Sequence, residues 1–213
     1  MSRVAAFVEA ARISRELLER PEVAARWTEP SALVGLTVGG LAEHLAQQVL
    51  LVPGLLAAPA PDPVPPVASL LEHYARSTWF GADLDEPANV GIRDRSEQAA
   101  AEGPGQLLAR VAQALAECER ELPAQPAGRL VQPPRVTWSL ALDDYLTTRL
   151  MEMVVHADDL AFTLGVATPL FPEDVTDPVL GLLVRLAARR HGFVPVVRAL
   201  ARAERAPASV TAF

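Results

Sequence analysis

The chain has 213 residues, half of them apolar and 5% aromatic, and its formal net charge is −7. This length suits one large domain with enough chain to bury a core. The excess of acidic residues, 26 against 19 basic, argues against nucleic acid as a partner, because phosphate contacts need a basic surface. No segment alternates with period two for long, so the pattern predicts an α-rich protein.

The N-terminal part of the chain is predicted to contain two bundle helices. Residues 4–25 form an amphipathic segment, with Pro21 as a kink near its end. After a loop, Thr37 has the side chain of an N-cap, and a second helix follows in VGGLAEHLAQQVLLVPGLL. His44 lies on this second helix.

Neither a targeting segment nor a membrane span is expected. Charged residues, Arg3 among them, interrupt the apolar N-terminus, so no export signal is evident. Prolines break the most apolar window, 49–71, which excludes a continuous membrane helix. We therefore expect a soluble, cytoplasmic protein. The single cysteine, Cys118, continues an apolar series at helical spacing and is expected to be buried.

The middle of the chain alternates connectors with helices. Residues 67–80 and 105–122 are predicted to be helical, whereas 58–66 and 123–136 are too rich in Pro and are predicted to be connectors. The polar segment from 81 to 105 is expected to be partly irregular.

Two further helices, 178–191 and 193–204, are predicted after the central helix described below. The predicted fold class is therefore all-α: an antiparallel four-helix bundle with additional C-terminal helices. Residues 1–170 are expected to form the bundle, and residues 171–213 a C-terminal helical extension packed on it. Bundles of this kind build metal sites from side chains on facing helices.

The stretch from Thr137 to Gly165 is an apolar helix with one polar stripe. At roughly 100° per residue, five polar side chains fall within about 40° of one another. These are Tyr145, Arg149, Glu152, His156 and Asp159. Because apolar residues surround the stripe, we expect it to point into the protein interior, where its groups need partners.

Glu152 and His156 are four residues apart, so a carboxylate and an imidazole lie one turn apart on the same side of the helix. That spacing lets both side chains reach one metal ion. His44 on the second helix is the natural third ligand. The alternative is that these polar groups only satisfy one another in the core, and spacing alone leaves both interpretations open.

Two segments carry a resemblance to a known family. SALVGLTVGGLAEHLA around His44, followed by YLTTRLMEMVVHADDLAFTLG, resembles the mycothiol-dependent maleylpyruvate isomerase group of the DinB-like superfamily. The resemblance implies a helical-bundle domain that holds a divalent metal, usually zinc. It also implies that the ligands are His44, Glu152 and His156.

The sequence departs from that family pattern in two places. The family often has Trp before the Thr and charged residues after its Val, whereas this chain has Leu36, Gly39 and Gly40, so the start of the helix is expected to differ in detail. The resembled isomerase also carries a mixed α/β C-terminal domain, whereas residues 171–213 are predicted here to be helical. The substrate is therefore not carried over.

The ligand set has chemical consequences of its own. Two neutral imidazoles and one carboxylate leave a divalent ion with net charge +1 and an open position, as in catalytic zinc sites. A thiol bound there would ionise to a strong nucleophile, able to add to a small electrophile. The leading hypothesis is thus a metal-dependent transferase or isomerase that uses mycothiol, acting as a monomer or homodimer.

Two alternatives stay open beside that hypothesis. If water takes the open position, the protein would be a metal-hydroxide hydrolase. If there is no turnover, it would be a metal-binding regulatory or stress-response module. Zinc is the expected metal, while nickel, iron and manganese also suit the ligands.

Accessory roles are assigned to neighbours of the expected ligands. Asp159 is expected to accept the second ring N–H of His156 and to take part in catalysis, with a surface position as the alternative. Arg149 is assigned to catalysis and cofactor binding, where it would steer a carboxylate of the substrate or cofactor, unless it pairs with Glu152 or packs on Tyr145. Asp158 points to a different side of the helix. His73 and His191 are expected to be ordinary histidines.

Overall fold

A computed structural model describes residues 2–59, 65–78, 81 and 83–213. Within these ranges the chain forms nine α-helices, which confirms the all-α class. They are α1 Arg3–Leu18, α2 Pro21–Ala25, α3 Val38–Ala57, α4 Leu70–Arg76, α5 Pro87–Ala100, α6 Pro104–Glu121, α7 Leu142–Leu164, α8 Glu173–His191 and α9 Phe193–Ala201. No helix among these described residues is long and apolar enough to cross a bilayer.

Four long helices form the bundle. Going round it, α1 packs against α7, α7 against α3, α3 against α6, and α6 against α1. Their inward faces build one apolar core, which includes Phe7 of α1, Leu45 of α3, Val111 of α6 and Leu150 of α7. Cys118 is also fully buried there, and burial raises the pKa of its thiol. The core therefore lies between the four helices that the periodicity predicted.

Helix α3 begins with a close-packed turn. The Thr37 hydroxyl accepts a hydrogen bond from the backbone N–H of Gly40, as expected of an N-cap. A β-carbon on Gly40 would lie 2.0 Å from Oε1 of Glu97, and one on Gly39 would lie 2.6 Å from the indole of Trp27. Glycine at position 39 is thus needed for the approach of the rigid Trp27 indole, whereas a side chain at position 40 would displace the carboxylate of Glu97.

An ion pair between a buried carboxylate and a half-exposed arginine fixes α3 against α6. Glu43 is fully buried, and its Oε1 accepts a hydrogen bond from Nη2 of Arg110 at 2.5 Å. Glu43 precedes His44, so this contact holds one side of the helix against α6 and leaves His44 to face α7. Burial raises the pKa of the Glu43 carboxyl, although the charge of Arg110 opposes the shift.

Short strands that periodicity did not predict precede α7. β1, Leu130–Val131, pairs antiparallel with β2, Leu140–Ala141. Ser139 also exchanges backbone hydrogen bonds with Pro66 and Ala68 at 3.0 and 2.9 Å. These contacts bring the segment before α4 beside the start of α7, although Pro-rich sequence suggested only connectors.

Several helix boundaries differ from the predictions. The first predicted helix is two helices, because Arg20 is extended before Pro21. The segment 81–105, which was expected to be partly irregular, contains α5, a helix with Pro at its start. α8 begins five residues earlier than predicted, with acidic residues in its first turn and Pro178 inside it.

Helices α8 and α9 follow the bundle in the chain. α8 packs against α1 and α7, and α9 packs against α8.

The centre of the predicted helix 67–80 is α4. Residues 79 and 80 of that prediction lie outside the described part of the chain. Residues 60–64 of the predicted connector also lie outside it.

Candidate metal centre

Three possible ligand side chains converge between α3 and α7. His44 comes from α3, and Glu152 and His156 come from α7, one turn apart. One ligand atom from each lies within 4.8 Å of the other two. The rings of His44 and His156 meet edge to face, with centroids 4.5 Å apart and planes 70° apart. The structure thus brings together the three residues that the sequence singled out.

His156 lies between two carboxylates. Its Nδ1 is 3.0 Å from Oδ2 of Asp159, and its Nε2 is 3.1 Å from Oε2 of Glu152. Burial lowers the pKa of His156, but the hydrogen bonds and charges of Asp159 and Glu152 outweigh it and raise that pKa. The same pairing outweighs burial at Glu152 and lowers the pKa of its carboxyl. In the protein alone, a protonated His156 therefore donates to both carboxylates.

His44 has a different electrostatic environment. Burial is the main cause that lowers the pKa of His44 to about 4, and the charge of His156 adds to it. Its buried Nδ1 has no hydrogen-bond partner among the described residues. A neutral imidazole with an unsatisfied nitrogen, beside a carboxylate and a second imidazole, is a donor set that fits a divalent metal ion.

Arg149 is held over the same face of α7. Its guanidinium lies 5.2 Å from the centroid of the Tyr145 ring, and its Nη1 donates to Oε1 of Gln48 at 2.5 Å. Gln48 in turn donates to the carbonyl of His44 at 2.8 Å. Because Gln48 follows His44 while Arg149 precedes Glu152, these contacts also show that α3 and α7 run antiparallel. Of the alternatives for Arg149, packing on Tyr145 is observed.

Three other residues considered from the sequence are not among the converging ligands. Tyr145 is buried, and its hydroxyl has no hydrogen-bond partner among the described residues. Asp158 is exposed and accepts a hydrogen bond from Thr168 at 2.6 Å, away from His156. His191 lies at the end of α8, where its Nε2 contacts the carbonyl of Thr211 at 2.9 Å.

A family model described as the mycothiol maleylpyruvate isomerase N-terminal domain matches residues 7–161. The chain belongs to this family. The matched segment runs from α1 into α7 and contains His44, Glu152 and His156. α8 and α9 lie beyond the matched segment. No curated protein and no solved structure gives a significant match to the chain.

Two residues near the site were not singled out from the sequence. Gln48 lies one turn after His44, and this spacing on the same helix face was the available signal. Trp138 lies just before α7, and its indole N–H donates to Nδ1 of His73 at 3.2 Å. No spacing rule points to Trp138, because it meets His73 only through the pairing of the segments before α4 and α7.

Proposed function

We propose that this protein is a metal-dependent enzyme that brings a low-molecular-weight thiol, mycothiol, to a small electrophile for thiol transfer or isomerisation. The observation that carries the proposal is the convergence of two imidazoles and one carboxylate from α3 and α7 within 4.8 Å. Membership of the family supports mycothiol as the thiol. We further propose zinc as the metal.

The ligand roles follow from the donor set. His44, Glu152 and His156 would hold the ion. Because only one of these ligands is a carboxylate, a divalent ion would keep a net charge of +1. Such an ion supplies a positive charge that favours the thiolate form of a bound thiol. Loading the site requires His156 to give up the proton that it shares with Glu152, so ion and proton compete for the same side chains.

Three neighbouring side chains orient this set. Asp159 accepts from Nδ1 of His156, which leaves Nε2 as the nitrogen directed at Glu152 and the ion. Gln48 links the backbone of His44 to Arg149. Arg149 keeps further N–H donors on a guanidinium that Gln48 and Tyr145 hold in place, and we propose that these donors bind polar groups of the thiol's sugar portion.

Cobalt substitution tests the proposal. A thiol that binds cobalt through sulfur should add a charge-transfer band in the near ultraviolet, which oxygen ligands do not give. Mycothiol should produce the band at lower concentration than a simple alkyl thiol such as ethanethiol. Arg149→Ala should weaken mycothiol about tenfold or more, because hydrogen bonds to charged groups are lost, and should leave ethanethiol unchanged.

The control for that experiment is Arg120→Ala, which removes an exposed arginine of α6 paired with its neighbour Glu121. It should bind both thiols like the unmodified protein. A cobalt spectrum that responds to no thiol would sink the thiol-transfer proposal and favour a metal-binding module or a hydrolase. Turnover is then tested by thiol consumption against panels of alkenes, epoxides and activated rings.

A further inference from the structure

The outer face of α9 carries a group of exposed apolar side chains. Phe193 is 74% exposed and Leu200 is 69% exposed, and at 100° per residue both lie within about 120° of Val194 and Val197, which are also exposed. These four side chains form the apolar arc of α9. The helix packs against α8 and buries Val196. Single exposed apolar residues are common on proteins, whereas adjacent ones mark an interaction surface.

Arginines flank the apolar arc. Three exposed arginines and three side chains of the arc line one shallow groove with a volume of about 290 Å³. The arginines are Arg198, Arg202 and Arg205. Among the described residues, no carboxylate forms an ion pair with Arg198 or Arg202, whereas Nε of Arg205 lies 3.6 Å from Oε1 of Glu204. Two guanidinium groups beside the arc are therefore available to an anionic partner.

The positive charge of this region contrasts with the rest of the chain. Residues 185–205 contain six arginines and one acidic residue, so their formal net charge is +5, whereas that of the whole chain is −7. All other residues together therefore carry −12. On α8 the first turn is acidic and the last turn is basic, and the last turn leads into α9 through Gly192. Basic and apolar groups are thus concentrated at one place on an acidic protein.

Neither the rest of the chain nor a second copy is a good occupant for the arc. After α9 the chain returns to the end of α8, where the carbonyl of Thr211 lies 2.9 Å from Nε2 of His191, and Ala212 joins the core. Phe193 and Leu200 stay exposed all the same. Two copies that met through α9 would bring two segments of charge +5 together, and like charges oppose association. The arc and its arginines call for an anionic partner.

A lipid surface fits the arc better than an anionic protein does. Each partner of a stable protein complex usually contributes about 800 Å² of surface. Four partly exposed side chains on a helix of nine residues offer only part of that area. A bilayer needs no surface of matching shape, because an amphipathic helix lies in the plane of the interface with its apolar side chains among the headgroups and upper acyl chains.

We propose that α9 docks the protein reversibly on an anionic lipid surface. Phe193, Val197 and Leu200 enter the boundary between headgroups and acyl chains, while Arg198 and Arg202 bind lipid phosphates through their planar guanidinium groups. Apolar contact from one short helix is weak by itself, and charge attraction at a surface is screened by salt. Binding therefore requires both anionic lipid and the apolar arc. This proposal does not depend on the function of the metal centre.

Cosedimentation of the full chain with vesicles tests the role of the arginines. At low ionic strength the protein should bind vesicles of phosphatidylglycerol and phosphatidylcholine in equal amounts, and should not bind vesicles of phosphatidylcholine alone. Arg198→Gln combined with Arg202→Gln should weaken binding about tenfold or more, since each basic residue near an anionic surface contributes about fivefold. Arg120→Gln removes an exposed arginine of α6 and should bind like the unmodified protein.

The apolar arc is tested with the same mixed vesicles. Leu200→Ser should weaken binding, whereas Leu170→Ser should not, because Leu170 is 93% exposed in the connection between α7 and α8. Insertion is measured by fluorescence, as the difference from the unmodified protein. Phe193→Trp should show emission at shorter wavelength when vesicles are added. Phe162→Trp is the matched control at an exposed position of α7, and its emission should not change.

Three results would overturn the proposal. Absence of binding to the mixed vesicles at low ionic strength would leave an acidic protein as the occupant of the arc. Undiminished binding by Leu200→Ser and by the double arginine variant would show that the vesicles contact another surface. Light scattering without lipid tests the third: a dimer that Leu200→Ser converts to a monomer would assign the arc to an interface between copies. An oligomeric state that Leu200→Ser leaves unchanged is the expected result.

Discussion

The imidazole rings of His44 and His156 meet edge to face, with 4.5 Å between their centroids. The first belongs to α3 and the second to α7, so the contact exists only because these helices pack side by side in the bundle. Each ring has a different reason to accept an ion. His44 has a buried nitrogen with no hydrogen-bond partner in the described part of the chain. His156 shares a proton with the Glu152 carboxylate, and an ion can replace that proton.

Removing any of the three converging side chains should greatly reduce metal binding. His44→Ala, Glu152→Ala and His156→Ala should each lose most bound zinc or cobalt while circular dichroism still reports a helical protein. His191→Ala, at the far end of α8, should bind metal like the unmodified protein. The measurement is metal content after dialysis, and normal stoichiometry in His44→Ala would remove His44 from the ligand set.

Replacing Asp159 should weaken metal binding without removing a ligand. Asp159→Asn loses the charged acceptor that orients His156 through Nδ1, and the affinity for zinc should fall by about 10- to 100-fold. Asp158→Asn is the matched control, since Asp158 contacts Thr168 instead. Competition with a chelating dye measures both affinities. Equal affinities in the two variants would contradict an orienting role for Asp159.

Protonation of His73 should make the metal-free protein acid-sensitive. The unfolded chain takes up a proton at this ring near the ordinary histidine pKa, whereas the folded chain does so only near 4. Unfolding therefore takes up a proton between about pH 6.5 and 4, and acid favours the unfolded state in that window. Above about pH 6.5, the contribution of His73 to the free energy of unfolding is independent of pH.

That linkage is tested by comparing urea unfolding of the unmodified protein and His73→Phe at several pH values. The variant should be less stable near pH 7, because Trp138 loses its acceptor. The difference between the two proteins in the free energy of unfolding should narrow as the pH falls from 6.5 towards 4. The reason is that only the unmodified protein takes up a proton at His73 when it unfolds. Effects of carboxylates common to both proteins cancel in the difference. A difference in the free energy of unfolding that stays constant with pH would contradict a buried, neutral His73 in the folded protein.

Glycine at the start of α3 should be required for packing and not for flexibility. Gly39→Ala would place a methyl group 2.6 Å from the Trp27 indole, which is held by its hydrogen bond to the carbonyl of Ala100. We expect a loss of about 1–3 kcal/mol in the free energy of unfolding, as for other overpacked sites.

Gly54 is the matched control on the same helix, because a β-carbon there would meet nothing within 4 Å. Gly54→Ala should stabilise the protein by about 0.5–1 kcal/mol, since alanine is the better helix former. Thermal unfolding followed by circular dichroism measures both variants. A stabilising Gly39→Ala would show that Trp27 moves aside freely.

Helical periodicity was sufficient to predict the bundle and the part of the candidate site that lies on α7. The stripe on α7 is local geometry: Arg149 lies over Tyr145, and His156 contacts both Glu152 and Asp159. Side chains three and four residues apart on one helix are neighbours wherever that helix lies in a protein. These contacts therefore follow from spacing alone.

The helical repeat in the sequence was enough to predict the helical class, the burial of Cys118 and the polar stripe that includes Glu152 and His156. The contact of His44 with this stripe and the hydrogen bond from Trp138 to His73 depend instead on the three-dimensional packing of the chain. Both contacts join segments far apart in the chain, and packing between helices and pairing between Pro-rich connectors produce them. No local pattern encodes such distances, since they depend on how every intervening element packs.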